Sequence, residues 1–353
     1  MKQEQPLPIA FGRPVVTIRL WGGRVSCHLD LRATSVSAAV LTLCLLVVAV
    51  SLMSGAYPAS MTEVATALLG RGEEMVMMIV REWRLPRVLL ALLFGGALGM
   101  SGAIFQSLTR NPLGSPDVIG FAAGSHTGAL VVILLLSGGY YETALGALVG
   151  GIVTALAVYL LAFRRGVDGF RLIVVGIGVA AMLGAFNAWM IRKADLQVAM
   201  SAAVWAAGSL DGLGFEQVMS TVVMLCLAVP PALRLSRPMR QLEMGDDVAM
   251  ASGVAAGRVR LCLLILGVAL TAIVTAAAGP IAFIALAAPQ IARRLTRSAG
   301  LGLITSALTG ALLLVVADWA AQHAFAVHLP VGVMTVSIGG LYFLWLIIRE
   351  GCK

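Results

Sequence analysis

Arg84 and Arg87 stand at i and i+3 around Pro86, at the mouth of an apolar run that carries no charge over residues 88–108. Headgroup anchoring or pairing with Glu82 is their simplest use. At the far end of the same run, Gln106, Asn111 and Pro112 offer amide groups and a rigid turn. They can line and hinge a path, or Asn111 can simply cap backbone at the turn. A third group lies at 234–260, where Leu242, Met244, Val248 and Ala251 are spaced as one face of a short helix, punctuated by Gly245 and Gly253. Glu243, Asp246 and Asp247 are expected to remain exposed there. A solvated linker would not need the apolar face, so it reads as a docking knob for a cytoplasmic partner. Asp318 is the one acid clearly inside a late apolar run. A charge is costly there unless paired or wetted, so it is either a proton-relay carboxylate or one bonded to a neighbouring helix, and the second reading is preferred.

Bond-making chemistry finds little support. The chain contains no Gly-Lys dipeptide and therefore no Walker A loop, and His28, His126, His323 and His328 form no H-E-x-x-H motif. Cys27, Cys44, Cys226, Cys262 and Cys352 show no C-x-x-C pairing, so free thiols and no metal site are expected.

These groups must be held by membrane helices. Hydrophobic residues make up 59% of 353 residues and charged ones 12%, with a mean hydropathy of +0.95. Most of the chain therefore has lipid or other apolar helices as its solvent. Breaking the apolar runs at Gly, Pro and charge clusters predicts about ten helices, over 35–56, 88–108, 117–137, 143–163, 171–191, 214–233, 259–278, 281–296, 302–323 and 331–348. The second is long enough to cross about 30 Å of hydrocarbon, and its Gly95, Gly96, Gly99 and Gly102 would let neighbouring helices approach closely. Ser115-Pro116-Asp117 is a helix-start signature for the third. The eighth is short and holds Pro289 and Arg293.

An even number of crossings puts both termini on one side. Of the 25 lysines and arginines, all but Arg71, Arg81, Arg84, Arg87, Arg192 and Lys193 fall on segments sharing that side, which makes it cytoplasmic by the positive-inside rule. The net charge of +8 reflects this sidedness and needs no nucleic acid. Residues 1–34 precede any apolar run and lack the features of a signal peptide, so they are expected to stay attached as a cytoplasmic extension. Within them, residues 15–20 and 25–31 flank Gly22-Gly23 and can form a small hairpin; an irregular basic tail is the alternative.

The ordered set Arg84-Leu85-Pro86-Arg87, Ser101-Gly102-Ala103 with Gln106, Arg110-Asn111-Pro112-Leu113, Pro116-Asp117 with Gly120, the 242–253 island, Ala278-Gly279-Pro280-Ile281 with Phe283, Pro289 with Ala292-Arg293-Arg294, Asp318, and Leu329-Pro330-Val331-Gly332-Val333 resembles the FecCD family, over residues 35–348. These are permease subunits of bacterial ABC importers for iron siderophores, haem and vitamin B12. Within the family, Glu82-Trp83, residues 111–118 and residues 242–247 look closest to a ferric enterobactin permease subunit.

The resemblance implies an all-α polytopic protein of type II importer architecture with ten helices in a permease domain at 35–353. It implies a second permease subunit, either related or a self copy, two cytoplasmic ATPases that use ATP and Mg, and a periplasmic binding protein, with no cofactor held by this chain. It also implies that Arg84 and Arg87 receive acidic side chains of the binding protein. Leu242, Glu243, Met244, Gly245, Asp246, Asp247, Val248, Ala249, Ser252 and Gly253, within a coupling segment at 239–257, would then sit in a cleft of each ATPase. The chain departs from the family at Gln290, where His is usual, at Gly340, where Pro is frequent, and at Gln322, where many members carry Arg. The last argues mildly against a B12 system. A secondary transporter using an ion gradient through Asp318 is the rival of a different class.

Overall fold

The computed structural model describes residues 15–20, 25–162, 169–325 and 327–351. Arg164, Arg165 and the turn at 21–24 lie outside the described residues.

The chain opens with an antiparallel hairpin of β1 (Val15–Leu20) and β2 (Val25–Asp30), in register from Val15 opposite Asp30 to Leu20 opposite Val25. The hairpin was the first of the two sequence alternatives. Asp30 ends it and starts α1 (Leu31–Met53), because its carboxylate accepts from the Arg32 and Ala33 backbone N–H groups at 2.9 and 3.2 Å. This cap moves the first helix four residues upstream of its expected start at 35.

The stretch between the first two expected membrane helices is also folded. Ser60 and Glu63 form a capping box that opens α2 (Met61–Leu68), and α3 (Glu74–Met78) runs through a π-helical turn, Ile79–Arg84, into α4 (Leu85–Thr109). Val64, Ala67, Val76 and Val80 pack with Leu52 and Val88 as a small core under this cap. The box follows from Ser60-Met61-Thr62-Glu63, with Ser at the cap and Glu three residues on.

Beyond α4 come a 3₁₀ turn (Pro116–Ile119), α5 (Phe121–Val131) with a π-helical extension to Leu136, α6 (Tyr140–Ala162), α7 (Gly169–Lys193) and α8 (Leu196–Ala206). The third helix thus starts at Phe121 rather than 117, because Gly120 adopts a left-handed conformation that interrupts the turn begun at Ser115. There follow α9 (Phe215–Arg234), α10 (Ser236–Glu243), α11 (Asp246–Ala251), α12 (Ala256–Ala278), α13 (Ile284–Thr296), α14 (Leu303–His323) and α15 (Val331–Gly351).

All ten expected membrane helices are present, as α1, α4, α5, α6, α7, α9, α12, α13, α14 and α15. Among the described residues, seven helical stretches are long and apolar enough to cross a bilayer; α5, α8 and α15 supply shorter apolar ones, while α13 ends in the charged Arg293 and Arg294. The helix α4 is the axis of the packing, buried along most of its length against α9, α12, α13 and α14. A Cβ on Gly95, Gly99 or Gly102 would collide with the backbone of Gly310, Ser306 or Ala285, which is the close approach expected of these glycines. Gly96 differs, having only ordinary contact at 3.8 Å with the Ala307 carbonyl.

Candidate functional site: polar clusters at the two ends of α4

At the N-terminal end of α4 the π turn at 79–84 leads directly into the helix, and both Arg84 and Arg87 turn toward neighbouring elements. Arg84 donates from Nη1 to the Leu52 carbonyl (2.8 Å) and from Nη2 to the Tyr57 carbonyl (2.6 Å), satisfying the frayed end of α1. Arg87 meets Asp318 of α14: Nε lies 3.1 and 3.0 Å from the two carboxylate oxygens and Nη2 lies 2.8 Å from Oδ1. Its remaining Nη1 reaches Asp211, in the loop between α8 and α9. Gln322, one turn after Asp318, donates to Asp318 Oδ2 at 2.8 Å.

The partner of Asp318 on a neighbouring helix is thus an arginine. Sequence reading missed this partner because 231 residues separate the two in the chain. The preferred reading of a carboxylate bonded to a neighbouring helix describes what is found. Likewise, neither Arg84 nor Arg87 pairs with Glu82 in the contacts above; they tie α4 to α1 and α14.

At the C-terminal end of α4, Gln106 is buried and spans from α4 to α13. Its Nε2 donates to the Leu286 carbonyl at 2.9 Å, while its Oε1 accepts from Gln290 Nε2 at 2.6 Å. Gln290 is the position at which the chain departs from the usual histidine. Asn111 caps the following turn, its Oδ1 accepting from the Leu113 N–H at 2.9 Å. It also lines a cavity of about 230 Å³ with Gln106, Pro112, Glu243, Gln290 and Arg293. The expected path residues and the expected docking island meet there.

The island itself is two helices rather than one. Gly245, with φ of 123°, breaks it between α10 and α11, and the expected single apolar face is divided accordingly. Leu242 and Ala249 are buried in the main core, whereas Met244, Val248 and Met250 are 64%, 46% and 56% exposed. Leu242 is thus an internal anchor, and the outward apolar surface belongs to Met244, Val248 and Met250. The island's acids are also not equivalent: Asp247 is exposed, but Glu243 and Asp246 are half-buried. Ser252 and Gly253, where the chain turns left-handed at φ of 83°, close the segment before α12.

Asp246 accepts at one oxygen from Arg110 Nη2 (2.7 Å) and Arg260 Nη2 (2.6 Å). Burial pushes its carboxyl up, but the Arg260 and Arg110 guanidiniums outweigh this and hold it below the usual carboxylate range. Arg110 also donates from Nε to the Leu242 carbonyl at 3.1 Å. Arg110 was named in the sequence only within the Arg110-Asn111-Pro112-Leu113 motif, and Arg260 only as a basic residue. Among the described residues no group of three or more His, Cys, Asp and Glu side chains could hold a metal ion, and Cys44, Cys226 and Cys262 are free.

The arrangement has polar clusters at both ends of a buried helix, a cavity at the inner end and an outward apolar knob beside it. Comparison with known proteins places it. The FecCD transport family model matches residues 43–349. The ferric enterobactin transport system permease protein FepG of Escherichia coli is 52% identical over 90% of this chain and 99% of its own length. The achromobactin transport system permease protein CbrC of Dickeya dadantii is 37% identical over 93% and 95%. A solved structure described as a metal-chelate type ABC transporter in an inward-facing conformation superposes with a TM-score of 0.80, covering 90% of this chain and 99% of that one at 24% identity. With its fold shared and its sequence matched from the first membrane helix to the last, this chain belongs to the FecCD transport family.

Proposed function

We propose that the chain is the membrane permease subunit of a bacterial ABC importer that carries a ferric siderophore of the catecholate, enterobactin-like type from periplasm to cytoplasm. The observation that carries the substrate class is the kinship with FepG along nearly the whole of both chains. It works with a second permease subunit, two cytoplasmic ATP-binding subunits that use ATP and Mg, and a periplasmic binding protein, in the inner membrane with both termini cytoplasmic. Residues 1–34, hairpin included, form a cytoplasmic extension before the permease domain at 35–353.

Three surfaces divide the labour. Arg84 and Arg87, at the outer lip, receive acidic side chains of the binding protein by trading some of their internal bonds. Gln106, Asn111 and Pro112 line and hinge the inner end of the path, with the cavity beside them supporting this reading. Met244, Val248 and Met250, set among Gly245, Asp247, Ser252 and Gly253, contact the ATPase, while Leu242, Glu243, Asp246 and Ala249 root that surface in the bundle. Closure of the ATPases then tilts the permease halves and alternates which side is open. The Arg87 clasp on Asp318 favours this reading over an ion-coupled secondary transporter, since a relay carboxylate must be free to exchange its proton.

Uptake of radio-iron-labelled ferric enterobactin in a FepG-deficient Escherichia coli strain expressing this chain with its own partner subunits tests the proposal. ATP-dependent uptake is expected. Uptake that persists when the ATPase is inactivated would favour the secondary transporter, and uptake of haem or B12 but not ferric enterobactin would reassign the substrate.

A further inference from the structure

Arg110 occupies an unusual position for a long charged side chain. It is the C-cap of α4, with φ of 50° and ψ of 32°, in the left-handed region where glycine is the residue without steric cost. Gly114, Gly120 and other glycines show that this chain places glycine freely in the same neighbourhood. Backbone strain retained at a non-glycine residue points to a use for its side chain.

The side chain shows that use. It forks from the end of the most buried helix to two different elements of the 236–251 segment: Nε to the Leu242 carbonyl at the end of α10, and Nη2 to Asp246 at the start of α11. The two contacts straddle Gly245, the left-handed break between α10 and α11. Arg260, only 12% exposed in α12, holds the same Asp246 oxygen at 2.6 Å. On the α4 side, the Asn111 N–H bonds the Gln106 carbonyl and the Asn111 carboxamide fixes the next turn, so the base of Arg110 is rigid. Gln106 in turn is bonded to α13 through Leu286 and Gln290.

We infer that Arg110 is the strut that transmits displacement of α10 and α11 to α4 and, through Gln106, to α13. It is a positioning residue: it touches neither the transported substrate nor nucleotide. The inference rests on the proposed function, in which an ATPase moves the 242–253 surface. A planar guanidinium suits the task because it fixes direction as well as distance at two acceptors, which a lysine ammonium does not.

The test uses the full complex of permease, ATPase and binding protein in proteoliposomes, measuring radio-iron-labelled ferric enterobactin transported per ATP hydrolysed. Arg110→Gly relieves the backbone strain while deleting the fork, so the complex is expected to assemble with undiminished thermal stability. Transport per ATP is expected to fall roughly fivefold or more, the lower range for a coupling between sites. Arg110→Lys, which keeps the charge and loses the fork, is expected to fall between the two. A merely structural role would lower stability and leave the ratio of transport to hydrolysis unchanged. An unchanged ratio in the Gly variant, beside an ATP-driven wild type, overturns the strut alone, as does loss of ATPase association in that variant. Wild-type transport that does not depend on ATP overturns the proposed function and the strut with it.

Discussion

The Arg87 guanidinium meets the Asp318 carboxylate through three N–O contacts of 2.8 to 3.1 Å, joining α4 to α14 at one end of a seam along which Gly95 and Gly99 lie against the backbone of Gly310 and Ser306. Asp318 is almost wholly buried, with its side chain 3% exposed. Removing the cation therefore leaves a stranded charge. Arg87→Leu is expected to destabilise the purified permease by about 3–5 kcal/mol, and Arg87→Leu with Asp318→Leu to regain most of that loss. Thermal unfolding in detergent compares the two; equal losses would mean that the pair is not coupled. Arg87→Glu sets a second acid against Asp318, so docking assays on that variant would report misfolding.

At the inner end, Gln106→Leu deletes the bonds to Leu286 and Gln290 and strands their polar groups. The expected cost is about 1–3 kcal/mol for each group left unpaired. Because the lesion sits at the joint between α4 and α13, uptake is expected to fall by more than complex yield, and Asn111→Leu is expected to behave in the same way. Parallel loss of uptake and yield in both variants would assign these residues to folding alone.

The outward apolar surface of α10 and α11 can be changed without touching the core. Met244→Arg with Val248→Arg alters two exposed side chains and is expected to leave insertion and binding-protein docking intact while abolishing ATPase association. Co-purification of the ATPase at wild-type yield would remove the contact from this surface. Ala249 is a poor choice for the same experiment, because it is fully buried.

Asp246 gives the inner cluster an acid limit. Its folded pKa is lowered, so its contribution to stability is fully present above the unfolded value of about 3.9 and is lost as pH falls through the folded value. Wild-type protein is expected to lose stability over that acid window by more than Asp246→Asn does, and the two curves to run parallel above about pH 5. The pair with Arg110 is about half exposed, so high salt is expected to weaken it. Superimposable acid limbs would show that the charge contributes nothing.

Orientation follows from the basic asymmetry. A cysteine replacing Glu73 is expected to react with an impermeant maleimide from outside, and one replacing Asp247 only after the membrane is opened. The reverse pattern would invert the topology.

The membrane helices were legible because lipid imposes length and apolarity on each span independently, so each can be read without knowing its neighbours. Residues whose roles depend on distant partners were not. Arg87 could be noticed as an arginine on the wrong side, but nothing local announced Asp318 or Asp211. Arg110 was visible as part of a motif, but its fork was not: an arginine is expected on the side rich in basic residues, so the contacts with Leu242 and Asp246 left no anomaly in composition. The island at 242–253 was correctly seen as helical and apolar on one side. Gly245 nevertheless rotates α11 relative to α10, and helical spacing read across that break assigned Leu242 to the surface when it belongs to the core.

The contact of Gly95 with Gly310 restricts how this sequence can drift. Each occupies the space that a Cβ on the other would need, and the obstruction is backbone in both directions. No reciprocal substitution can therefore relieve a change at either position, because the partner already has no side chain to surrender. Most cores exchange volume between neighbours over generations, a larger residue here matched by a smaller one there. Along this seam there is no such currency, so the two positions can vary only if the helices themselves move apart, and the Arg87–Asp318 clasp opposes that at one end.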